Sequence, residues 1–125
     1  MGTLKSTLKL ESTDLFPTPL SFTKINNNLV DGSFSGFNSI HATTVAKTLN
    51  ISNFDSTVSY VYFEAPEVNT VPVLINVIGG STFAVLNPGD IAFLPYGDGT
   101  ATPDGLEAVT ASGTAVLNYF IGENE

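Results

Sequence analysis

Apolar residues along this chain come in short blocks, separated by glycine, proline, asparagine and aspartate. The densest stretch is Val73–Pro95, VLINVIGGSTFAVLNPGDIAFLP. Val73–Ile78 is an almost unbroken apolar run of strand length, and Gly79-Gly80 supplies positive-φ positions for a tight reversal. Phe83–Leu86 forms a second strand. Asn87-Pro88-Gly89-Asp90 then fits a type II turn, in which proline sets φ at the second position and glycine takes positive φ at the third. Ile91–Leu94 is a third strand, closed by Pro95, which cannot donate to a ladder. The pattern predicts a three-stranded meander.

The flanking sequence extends the β reading. Val58–Phe63, VSYVYF, is rich in aromatic and β-branched residues and predicts a strand. Leu106–Thr110 and Thr114–Ile121 predict a last hairpin around Ser112-Gly113. Upstream, Leu20–Ile25 alternates as a half-buried strand, following the extended spacer Phe16-Pro17-Thr18-Pro19. Asn26–Asn28 and Asp31-Gly32 read as turns, and Phe34, Phe37 and Ile40 as an irregular loop packing aromatics onto the core. Ile40–Ile51 follows alternation better than a helical period and reads as β. Tyr96–Gly105 is a polar loop, and Gly122–Glu125 an exposed acidic tail.

These eight or nine short strands predict an all-β chain, a single antiparallel β-sandwich or jelly-roll-like domain over residues 15–125. Residues 1–14 read as an edge strand or an N-terminal arm that lies on a neighbour. No repeat or linker divides the chain, and 125 residues suit one domain.

Charge narrows the function classes. Only 13% of residues are charged, with four lysines, no arginine and twelve carboxylates, for a net charge of −8. Nucleic-acid binding needs cations to displace counterions from phosphate, so this balance argues against it, and against an anionic membrane surface as well. Serine, threonine and asparagine supply 37 of the 125 residues. Such residues tolerate burial at an oligomer contact better than charges do. There is no cysteine, hence no disulfide or thiolate metal site. No stretch is long and apolar enough to predict a membrane-spanning helix. Met1-Gly2-Thr3-Leu4-Lys5-Ser6 fits a myristoylation pattern but lacks the second signal that stable anchoring needs.

The candidate chemistry is thin. Gly89–Pro95 has the glycine, five residues and proline that open the second cupin motif, but Thr100 stands where that motif has its histidine and Asp104 where it has its asparagine. With one histidine in the chain, a cupin metal set cannot be completed. His41 lies near Ser39 without a nucleophile elbow, and reads as a satisfied or surface histidine. Asp98, Asp104 and Glu107 cluster in the polar loop without the alternating oxygens of a calcium loop. Asn50-Ile51-Ser52 is a glycosylation sequon, relevant only in a secretory host. Of the four tyrosines, Tyr60, Tyr62 and Tyr119 sit in predicted strands, where aromatics are usually core. Tyr96 with Asp98, at a loop entrance, is the candidate sugar contact. No catalytic residue, metal or cofactor is expected.

The chain also resembles the small virion structural proteins of tailed bacteriophages, especially marine and cyanobacterial phages. The resembling residues are Ser59–Ala65 (SYVYFEA), Val71–Val77 (VPVLINV), Phe83–Pro95 (FAVLNPGDIAFLP), Gly113–Glu123 (GTAVLNYFIGE) and Thr7–Phe22 (TLKLESTDLFPTPLSF). The resemblance implies a non-enzymatic capsid decoration, cement or head–tail accessory protein. It would be assembled in host cytoplasm, bind the major capsid protein on the capsid exterior, and form a homotrimer or homodimer. In that reading Leu4, Lys5, Leu8, Lys9 and Leu10 of the arm are the candidate capsid or oligomer contacts. The alternative is a ligand-binding β-roll for sugar or a receptor, with a metal-free cupin-like protein third.

Overall fold

A computed structural model describes residues 2–14, 17–34, 37–49, 59–97 and 105–124. These form ten strands: β1 (Gly2–Ser12), β2 (Leu20–Phe34), β3 (Asn38–Ala42), β4 (Lys47–Leu49), β5 (Ser59–Glu64), β6 (Val73–Val77), β7 (Thr82–Leu86), β8 (Ile91–Tyr96), β9 (Leu106–Val109) and β10 (Ala115–Asn124). Every strand pair is antiparallel. The all-β, sandwich-type expectation therefore holds.

The larger sheet runs β1-β2-β10-β5-β8, and the smaller runs β4-β9-β6-β7. Strand β10 organises the larger sheet. β5 lies along one edge, while β3 and the end of β2 share the other. One core joins the sheets. Val61, Phe63, Leu117, Tyr119 and Ile121 come from the larger sheet, and Leu49, Val73, Ile75, Leu86, Leu106 and Ala108 from the smaller. Alternation selects them: in β10 Ala115, Leu117, Tyr119 and Ile121 are buried and their spacing of two keeps them on one face. Among the described residues, every buried side-chain nitrogen and oxygen has a hydrogen-bond partner.

The Asn87–Asp90 turn forms as predicted. Asp90 N donates to Asn87 O at 2.9 Å, Gly89 has φ of 93°, and the Asp90 carboxylate accepts from Asn87 N at 2.9 Å. It does not close a hairpin, however. β6 and β7 pair in the smaller sheet, whereas β8 crosses to the larger one beside β5. The crossing is pinned by Gly89 N donating to Ala65 O at 2.7 Å and Ala65 N donating to Asp90 O at 2.9 Å. The expected meander is thus split between sheets. The same correction applies to the last hairpin: β9 belongs to the smaller sheet and β10 to the larger. A turn residue bends the chain, but whether the next strand returns to its neighbour depends on which faces need covering.

Five local expectations also change. Pro95 does not close the third strand: β8 continues through it to Tyr96, with Pro95 opposite Tyr60. In the Gly79-Gly80 reversal Gly79 alone takes positive φ, at 77°, and Gly80 N donates to Val77 O at 2.8 Å. Asn26–Asn28 and Asp31-Gly32 do not break the chain, because β2 runs unbroken through both. Residues Gly122–Asn124 are not a free tail but the end of β10. The stretch expected as a loop around Phe34–Ile40 begins in β2 and ends in β3.

Candidate functional site

The N-terminal fourteen residues were expected to form an arm or edge strand, and their partner is β2. β1 and β2 make a hairpin in unbroken register, from Gly2↔Val30 at its root to Ser12↔Leu20 at its tip. Only the root meets β10, at Phe34↔Gly122 and Val30↔Asn124. From Val30 to Leu20 the ribbon therefore runs about 30 Å at the usual rise of ~3.4 Å per residue. Ser21–Asn27 are all exposed, as are Thr3, Lys5 and Thr7–Glu11.

The two sides of this ribbon differ. Residues opposed across an antiparallel pair share a side, and alternate residues along a strand share it too. One side holds Thr3, Lys5, Thr7, Lys9 and Glu11 with Thr23, Ile25 and Asn27, and Lys9 pairs with Glu11 at 2.5 Å. The other holds Leu4, Leu8, Leu10, Leu20 and Phe22 with Lys24 and Asn26. Three large apolar groups on that side face water: Leu8 is 54% exposed, Leu10 43% and Phe22 44%.

Alternation along β10, past a register shift between Gly122 and Asn124, carries this apolar side into the outer face of the larger sheet. Val30 opposes Asn124, two steps of two along β10 from Phe120, and Phe120 opposes Tyr62, which opposes Phe93. This outer face carries an aromatic cluster. Tyr62 and Phe120 stack at 5.7 Å, Tyr60 and Phe93 at 6.2 Å, and Phe37 lies 5.7 Å from Tyr62 and 6.0 Å from Phe120 between ring centroids. Phe37 and Ile91 are largely exposed, and Glu64 borders the cluster, accepting a long hydrogen bond from Tyr62 Oη at 3.4 Å. Partial burial, then the Glu64 charge and this bond, push the Tyr62 phenol above its ordinary range. A sandwich normally turns polar residues outward on such a face. Here the ribbon side that continues the outer face is apolar, and the other side is polar but for Ile25, 52% exposed.

Of the expected contacts, Leu4, Leu8 and Leu10 thus share the ribbon's apolar side, and Lys5 and Lys9 the opposite side. The candidate sugar contact Tyr96 is a core residue, 6% exposed, with its ring edge-on to Phe83 at 5.6 Å. Tyr60 and Tyr62, read as core, face outward instead. Strand β5 is apolar at every position from Tyr60 to Phe63, so alternation could not tell its two faces apart. Asp98, Thr100, Asp104 and Asn50–Ser52 lie outside the described residues. His41 stands exposed on β3, opposite Val116, and its carbonyl accepts from Lys47 Nζ at 2.6 Å. No group of three metal-ligating side chains occurs among the described residues.

No known protein family, curated protein or solved structure matches the chain.

Proposed function

We propose that this chain is a non-enzymatic structural protein of a virus particle, a decoration or cement protein that binds the outside of a capsid and stabilises the head. The observation that carries this reading is the β1–β2 ribbon, which stands clear of the sandwich and exposes leucine and phenylalanine on one side. A two-stranded ribbon is marginal in water by itself, and exposed apolar patches of this kind mark contact surfaces. A rigid sandwich with a reaching arm suits a protein whose work is to hold subunits together. The resemblance of Ser59–Ala65, Phe83–Pro95 and Gly113–Glu123 to phage virion proteins supports the same reading.

The test is co-sedimentation with capsids assembled from the major capsid protein of the same genome. The full chain should saturate them at a stoichiometry set by capsid symmetry, and a chain lacking residues 1–14 should not bind. Unchanged binding by the shortened chain would refute the arm, and no binding by the full chain would refute decoration.

A glycan-binding module is the second reading, favoured by the outward aromatic rings of Tyr60 and Tyr62 rather than by Tyr96. A glycan array separates it from the first.

A further inference from the structure

We propose that the apolar side of the ribbon is covered by a second copy of this chain. Each ribbon lies across the aromatic outer face of the partner's larger sheet, in a reciprocal two-fold dimer. The inference rests on reading the ribbon as an assembly arm, but not on a capsid as its target.

The first argument is geometric. Alternation along β10 puts the ribbon's apolar side and the cluster of Phe37, Tyr60, Tyr62, Phe93 and Phe120 on one side of the larger sheet, with a register shift between Gly122 and Asn124 where the ribbon joins. A second molecule, turned to face the first about a two-fold axis, brings ribbon to cluster and cluster to ribbon at once. Such isologous closure is the commonest form of protein symmetry.

The second is charge. Residues 2–27 carry Lys5, Lys9 and Lys24 against Glu11 and Asp14, while the rest of the chain has Lys47 against ten carboxylates. The ribbon is therefore weakly basic and the body strongly acidic, which favours a ribbon meeting a body over two bodies meeting, with Lys24 on the contacting side and Lys5 and Lys9 on the other. The detail agrees: Lys24 lies on the ribbon's apolar side, and Glu64 borders the aromatic cluster.

The third is area. A ribbon roughly 30 Å long and roughly 10 Å wide presents about 300 Å² per side. Two reciprocal contacts, counted on both partners, hide about 1,200 Å², the lower bound for a specific interface.

The experiment is subunit complementation, read by light scattering. One variant, L10S/F22S, disables the ribbon, and another, F37S/F93S, disables the cluster. Circular dichroism checks that both fold, and I91S replaces the cluster variant if it does not. The wild-type chain should have twice the monomer mass of 13.2 kDa. Each variant alone should be monomeric, and an equimolar mixture should form a weaker heterodimer at concentrations well above those at which the wild type dimerises, because it restores one intact ribbon on one intact cluster, half of the buried area. A monomeric wild type, a variant that stays dimeric, or a mixture that stays monomeric would each overturn the proposal. Capsid binding is read separately: in the dimer the partner copy takes the ribbon's apolar side, which leaves the opposite side, with Lys5 and Lys9, for a capsid. A dimer that ignores capsids refutes only the virion reading, and a monomer that coats them refutes only the dimer.

Discussion

Asn69 and Val116 are joined by two hydrogen bonds across 47 residues of sequence: Asn69 Nδ2 donates to Val116 O, and Val116 N donates to Asn69 Oδ1, each at 2.8 Å. The side-chain amide stands in for a strand. On that edge of β10 the pairing with β5 ends at Asn118↔Glu64, so both polar groups of Val116 would otherwise lack a backbone neighbour.

Replacing Asn69 with alanine should therefore cost about 1–3 kcal/mol, two modest bonds plus the penalty of stranding part-buried backbone groups. Asn69→Asp should be no better, because a carboxylate cannot donate to Val116 O and would face it at close range. Urea denaturation of both variants checks this. An alanine variant within experimental error of the parent would show that water fills the gap at no cost.

Gly89 and Gly79 both hold positive φ, at 93° and 77°, so alanine at either should destabilise by about 1–2 kcal/mol. The two differ in space. A Cβ at Gly89 would sit 3.3 Å from Glu67 Cγ, whereas at Gly79 nothing lies within 4 Å. We expect Gly89→Ala to cost slightly more, and the excess to disappear in a Glu67→Ala background. Thermal melts of the four variants decide whether backbone strain or the side-chain contact dominates.

Phe63 is fully buried while Phe37 is 68% exposed. Phe63→Ala should cost about 3–5 kcal/mol, as cavity formation in a closed core does. Phe37→Ala should cost less than about 1.5 kcal/mol, the scale of a surface aromatic contact. Equal losses would mean that the outer cluster, not only the inner core, holds the fold.

Burial raises the Tyr119 phenol above the ordinary 10.0, and burial followed by Glu64 raises Tyr62. In both cases the folded chain keeps its proton at pH values where the unfolded chain has lost it. The stabilisation is complete below pH 10 and is lost as pH rises through the raised values. Tyrosinate absorbance should show a late-titrating component that Tyr119→Phe reduces, and Glu64→Gln should move the Tyr62 component down. A single ordinary titration would contradict the burial of Tyr119.

Much of the fold was legible without coordinates. The type II turn at Asn87–Asp90, the strand positions of Val73–Val77 and Ile91–Leu94, and the grouping of Leu117, Tyr119 and Ile121 on one face follow from φ preferences and a period of two. These are local properties, written in neighbouring residues. The site was legible only in part. Leu4, Leu8 and Leu10 could be picked out as an arm, but the residues opposite them, Phe22 among them, come from a strand that the Asn26–Asn28 signal seemed to end.

The sequence by itself determined that this is an acidic, cysteine-free, all-β chain with a type II turn at Asn87–Asp90. Only the tertiary structure decided which sheet each strand joins, and which face of β5 meets the core. Tyr62 and Phe63 are adjacent and both aromatic, yet one faces outward and the other is fully buried. Adjacent strand residues always point oppositely, but which of them points inward depends on the sheet that packs above. That sheet is assembled from β4, β6, β7 and β9, segments from both sides of β5 in the chain.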